Sequence, residues 1–190
     1  MSRLLKKYSY KYEFLKLELE DLENEFENYN TEWKHLFGKY FNEIKKEYWV
    51  NEKTGEIRKD KPGEPDNKPQ HPDRLKKLYR KVSTKAHPDR GGNVEEFNTV
   101  KTYYDENDYI GLINYATQND IEVDITEEDS TLLENSCISL EDKVRRLESS
   151  LVLKFFNGDT KVKQAVIKQL QIQYKVEINA KDILEKLETT

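Results

Sequence analysis

His87, Pro88 and Asp89 close a stretch where positive charge is concentrated: residues 74–90 hold seven Lys or Arg. The chain has three His, at positions 35, 71 and 87, and one Cys, and it lacks a glycine-rich loop that would cradle a phosphate. That inventory is too thin for an active site, so a non-enzyme without a cofactor is expected. Presentation to a partner suits the group better. Pro88 fixes its own backbone angle, which holds its neighbours in place at small entropic cost. Asp89 is then a carboxylate offered at the end of a basic helix, an acceptor for an arginine on another protein. The plain alternative is a helix stop and turn beside a solvated basic face. The four letters alone cannot decide, because His71-Pro72-Asp73-Arg74 repeats them at the other end of the helix. There, proline and aspartate are ordinary helix-start residues.

The elements that must position the group follow from periodicity. A helix is expected over 73–86, capped by Asp73, with Leu75, Leu78, Tyr79, Val82 and Ala86 as its apolar face. Lys76, Lys77, Arg80, Lys81 and Lys85 occupy the rest of it. Pro88 breaks the helix, and Gly91-Gly92 prolong the loop. Asn93 and Glu96 form a capping-box-like start for a second helix carrying Phe97, Val100 and Tyr104. A third short helix spans 109–117. Residues 102–142 contain no Lys or Arg against twelve Asp or Glu. The acidic part, 119–138, reads as a largely irregular linker. It either stays solvated or folds back on the basic helix and competes with that helix's partner. Ser139 and Asp142 mark a further helix with Leu140, Val144, Leu147, Leu151 and Phe155, stopped by Gly158. Asp159 opens another with Val162, Val166 and Leu170, and a last one begins near Asn179 with Ile183 and Leu187.

Ahead of this lies an amphipathic arm. Tyr8, Leu15, Leu22, Tyr29 and Leu36 recur every seven residues, and so do Tyr12, Leu19, Phe26, Trp33 and Tyr40, offset by four. This a/d seam over five heptads requires a helix that lies on a partner. A second copy of the chain or its own C-terminal helices could serve. Bulky aromatic residues fit a leucine-zipper homodimer poorly, which favours the intramolecular choice. Residues 47–58 alternate around Thr54-Gly55 as a β-hairpin would. Pro62, Pro65, Pro69 and Pro72 make 60–72 a stiff linker.

Hydrophobic residues are 35% of the chain and charged residues 36%. Apolar material is too sparse for a compact globule of 190 residues, so the expected fold is all-α and elongated, with a long coiled-coil-like N-terminal helix. The segments are 1–46 (helical arm), 47–72 (hairpin and linker), 73–118 (helical hairpin with an extra helix), 119–138 (acidic linker) and 139–190 (C-terminal helices). A net charge of -5 gives no general footprint for nucleic acid. Cys137, the single cysteine, rules out an internal disulfide framework and a Cys-rich zinc site, and it is expected to be a partly buried side chain without chemistry. No apolar run suits a membrane span, and the first residues lack the core of a secretory signal. A cytoplasmic protein is expected, of the host cytoplasm if the chain is viral.

The stretch LKKLYRKVSTKAHPDRGG followed by EEFNTVKTYYD resembles helices II and III of the J domain, the DnaJ-like module, over roughly residues 74–105. The doubled glycine is similar to the loop of polyomavirus T antigen J domains. The resemblance implies a co-chaperone that binds a heat shock protein 70 (DnaK-type) chaperone and stimulates its ATP hydrolysis. It implies that Lys76, Lys77, Arg80, Lys81 and Lys85 meet an acidic surface of the chaperone. His87, Pro88 and Asp89 match the trigger, whose aspartate engages the chaperone's arginine network. The chain departs from the family where a short helix I would stand, because the proline-rich linker occupies that place. Tyr103 replaces a usually small residue and Asn107 a usually apolar one. Another element must cover the helix pair: residues 109–117, the end of the N-terminal helix (Phe41, Ile44, Tyr48) or the C-terminal helices. With neither a Gly/Phe-rich stretch nor a zinc cluster, the chain looks like the class of J proteins that share the J domain alone. Its arms would select an unspecified client. The rival reading is a coiled-coil scaffold or adaptor whose J-like hairpin no longer meets a chaperone.

Overall fold

A 42-residue helix, α1 (Arg3–Ile44), opens the chain in the computed structural model, which describes residues 3–44, 49–50, 57–58 and 71–188. All ten seam residues of its heptads are buried or half-buried. So charged a helix gains little from its own backbone, and burial of those aromatic and leucine side chains, about 1.5–3 kcal/mol each, holds it. Its partners are within the chain. The two-residue strands β1 (Trp49–Val50) and β2 (Ile57–Arg58) pair antiparallel, Trp49 opposite Arg58 and Val50 opposite Ile57, as a hairpin requires. The expected Thr54-Gly55 turn and the linker prolines before Pro72 lie outside the described residues. The remaining helices are α2 (Asp73–Ala86), α3 (Val94–Asp105), α4 (Tyr109–Gln118), α5 (Ser130–Glu148), α6 (Leu151–Asn157), α7 (Thr160–Tyr174) and α8 (Ala180–Glu188).

The chain divides into two compact units, Met1–Glu20 with Asn67–Val144 and Asp21–Asp66 with Arg145–Thr190. In the first, Leu75, Leu78, Val82 and Ala86 of α2 and Val100 of α3 join Ile110, Leu112, Ile113 and Ala116 of α4 in one core. Leu5, Tyr12 and Leu15 of α1 and Leu133, Cys137 and Leu140 of α5 complete it. The helix pair α2/α3 is thus covered by α4, as foreseen, and by the start of α1 rather than its end. The described core holds no residue of α6, α7 or α8. Tyr103 finds room because Gly111 opposite it has no side chain: a Cβ there would come within 2.6 Å of the Tyr103 ring.

The second unit is aromatic. Trp33, Leu36, Phe37 and Tyr40 pack with Val152, Phe155, Val166, Ile167, Leu170, Ile178 and Ile183. Tyr29 stacks on Phe156 at 4.6 Å, and Phe37 meets Phe155 edge-on at 5.3 Å. Asp159 caps α7 by accepting from the Val162 N–H at 2.9 Å, and Asn179 accepts from the Asp182 N–H at the start of α8.

Three sequence expectations fail in the second half of the chain. Residues 119–138 are not mainly irregular, since a helical turn at Glu127–Asp129 leads into α5 at Ser130, nine residues before Ser139. The apolar stripe begins at Leu133 and Cys137, and surrounding carboxylates obscure it. Cys137 is fully buried rather than partly so. Nor does that helix run to Gly158. It stops at Glu148, and Ser150 caps α6 by accepting from the Leu153 N–H at 3.3 Å.

Candidate functional site

The basic helix α2 turns Leu75, Leu78 and Val82 inward, so Lys77 and Arg80 point the opposite way, and both are exposed. Lys81 and Lys85 are exposed along one edge, and half-buried Lys76 occupies the other. Asp73 is not its cap. Pro72 holds that position, and Asp73 sits in the first turn, where its charge suits the helix dipole and lies 3.4 Å from Lys76 Nζ. Against α3, Tyr79 stacks on Tyr104 at 4.0 Å.

After Ala86 the backbone of His87 is extended, as a residue before proline prefers, and Pro88–Arg90 form one 3-10 turn. The His87 carbonyl accepts from Arg90 N (2.9 Å) and Gly92 N (3.2 Å), and Gly91 N donates to Pro88 O (3.2 Å). His87 Nδ1 accepts from the Asp89 amide at 3.2 Å, and the ring stands edge-on to Phe97 at 5.2 Å. A nitrogen that accepts that amide carries no proton for the carboxylate, so the 3.7 Å between His87 Nδ1 and Asp89 Oδ2 is not an ion pair. Histidine here stiffens the turn. Both glycines are needed: Gly91 has φ +92°, and a Cβ on Gly92 would stand 2.1 Å from the Ala86 carbonyl oxygen. The outcome is an Asp89 side chain that is 87% exposed, beyond the end of α2.

All eight site residues anticipated from the sequence, namely Lys76, Lys77, Arg80, Lys81, Lys85, His87, Pro88 and Asp89, therefore lie on one helix and its terminal turn. What the sequence did not disclose is how that helix is anchored. Asp129, fully buried, receives the Arg74 guanidinium (NH2 to Oδ2, 2.7 Å), the Thr126 amide (2.9 Å) and the Tyr109 hydroxyl (3.1 Å). Arg74 also donates to the Asp124 carbonyl at 3.1 Å, and Lys81 Nζ to the Glu122 carbonyl at 2.5 Å. The acidic segment does fold back on α2, mainly through backbone carbonyls and the buried Asp129, with the exposed Glu128 carboxylate 3.8 Å from the Arg74 guanidinium. Its Ile121, Val123 and Ile125 pack against the core. It leaves Lys77, Arg80, Lys85 and Asp89 exposed.

A second buried carboxylate fixes α4. Asp108 accepts from Gly111 N at 2.9 Å and from the Tyr12 hydroxyl at 2.5 Å. Burial holds the Asp108 carboxyl above its ordinary range, against the pull of those hydrogen bonds, and burial beside that carboxylate raises the Tyr12 phenol. Ser136 Oγ accepts from Tyr109 N at 2.9 Å. Neither residue carried a sequence signal.

A polar cleft of about 520 Å³ lies between α1, α3 and α4, and two of its three carboxylates are engaged with neighbours: Glu13 with Asn114, and Glu96 with Asn93 and Tyr115. Burial and then Glu96 push the Tyr115 phenol up to about 12. Among the described residues, no His, Cys, Asp and Glu cluster could hold a metal ion, and no helix is long and apolar enough to cross a membrane. No family model matches the chain, and neither a curated protein nor a solved structure does.

Proposed function

We propose that the chain is a J-domain co-chaperone, which docks α2 and its terminal turn on a heat shock protein 70 (DnaK-type) chaperone and stimulates that chaperone's ATP hydrolysis. One observation carries the reading: Asp89 is exposed on a turn held by Pro88 and the His87 ring, in a conformation that two glycines permit, next to the exposed side chains of Lys77, Arg80 and Lys85. A turn that served only to end a helix would gain nothing from a rigid, solvent-facing carboxylate. Asp89 would accept an arginine of the chaperone. The basic face would speed encounter with an acidic surface, chiefly through the association rate. The ATP site belongs to the partner, and the second unit and α1 would select the client. The acidic segment touches Arg74 and Lys81 alone among the basic residues of α2, so it leaves most of this surface available.

The test is a single-turnover ATPase assay with a DnaK-type chaperone and three forms of the full chain: native, His87→Gln and Asp89→Asn. Stimulation should appear with the native chain and disappear with both variants. Asp89→Asn should keep the native urea midpoint, because that side chain touches little of its own protein. Equal rates for native chain and Asp89→Asn would overturn the proposal.

A further inference from the structure

The inward seam of α1 is covered by its own chain, but the helix carries a second apolar row. Tyr10, Phe14 and Leu17, spaced four and three apart, are 75%, 64% and 63% exposed. Helical spacing sets them on the side opposite Tyr8, Tyr12, Leu15 and Leu19, facing away from the core of the first unit. The sequence heptads do not include them. Charge at the two ends of this row is segregated, and within its span Lys11 and Glu13 are already paired with Glu141 and Asn114. Arg3, Lys6 and Lys7 precede it, and Glu18 and Glu20 follow it. Such an order complements itself when reversed.

We propose that this row is a docking surface for a second copy of the chain, bound antiparallel about a two-fold axis near Phe14. A register that sets Tyr10 against Leu17 of the second copy brings the two Phe14 rings together at the centre. By the same helical geometry, Lys6 faces Glu20 along one edge and Lys7 faces Glu18 along the other, twice each by symmetry. A parallel pairing would set lysines against lysines. A lipid surface is the poorer occupant, because the acidic end of the row would be pressed against anionic headgroups. The three apolar side chains offer on the order of 400 Å² per copy, about half of what a stable pairing buries, so the charged edges must contribute and the dimer is weak and salt-sensitive. The proposal is independent of the chaperone reading. With both true, one assembly presents two copies of Asp89.

Sedimentation of the full chain over a wide concentration range tests it. The mass should rise from one chain towards two, and added salt should reverse the rise. Phe14→Lys should lower the association constant at least about tenfold with the urea midpoint unchanged. Lys6→Glu with Lys7→Glu, and separately Glu18→Lys with Glu20→Lys, should each give monomers that associate when mixed. Should the Glu18 change unfold the chain, since that residue is half-buried, Lys6→Glu mixed with Glu20→Lys makes the same comparison. A chain monomeric at every concentration, a dimer indifferent to Phe14→Lys, or mixed variants that stay apart would each overturn the proposal. So would a monomer that binds phosphatidylserine vesicles through Phe14.

Discussion

The two ends of α2 carry the same four residues, His71-Pro72-Asp73-Arg74 and His87-Pro88-Asp89-Arg90, in opposite circumstances. At the first, the His71 ring packs on Tyr104 at 3.9 Å, tilted by 31°, and its Nδ1 is 2.9 Å from Asn107 Oδ1. Arg74 is drawn into buried Asp129. The quartet is spent on structure. At the second, Arg90 is exposed and Asp89 reaches solvent, while His87 turns back only to steady the loop. What differs is the place relative to the helix. Before a helix, the aspartate joins the first turn and the arginine can reach across to a neighbouring segment. After it, proline ends the hydrogen-bond ladder, and the residues that follow face outward because no element among the described residues crosses them.

That contrast can be broken by paired substitutions. The largest effect should come from Arg74→Ala, which leaves a buried carboxylate with only the Thr126 and Tyr109 donors. A loss of about 3 kcal/mol is expected, against less than about 0.5 kcal/mol for Arg90→Ala, read from urea unfolding. Equal losses would mean that Arg74 is as dispensable as its counterpart. His71→Ala comes next, at about 1 kcal/mol, because it gives up the Tyr104 stack and the Asn107 contact. It should leave ATPase stimulation intact, unlike His87→Gln, and lost stimulation without unfolding would blur the division. The smallest changes in stability belong to the aspartates. Asp73→Asn should cost under about 0.5 kcal/mol through the helix dipole and its exposed Lys76 pair, and Asp89→Asn nothing measurable. Their effects on the chaperone should diverge, with stimulation kept by the first and lost by the second.

Much of the molecule was legible in the sequence because it depends on near neighbours. The bounds of α2, the Asn93 cap of α3, the Asp159 cap of α7 and the heptad seam of α1 all arise from residues within a turn or two of each other. So does the rigid turn at Pro88. The misreadings have a common cause. Ser130 is hard to see as a helix start because carboxylates crowd the Leu133–Cys137–Leu140–Val144 stripe, and charge density there hides the helical period. Asp73 has a side chain suited to a cap, yet Pro72 holds that position.

The sequence by itself determined where the helices lie and that a histidine, a proline and an aspartate follow a basic one, because caps, periodicity and proline act over a few bonds. Only the tertiary structure decided that His71 packs on Tyr104 and that Asp129 anchors Arg74 from 55 residues away. It alone also decided that one row of α1 is covered while another is bare. Burial is the reason, since it comes from whichever distant segments reach a given face, and no local pattern records which they are.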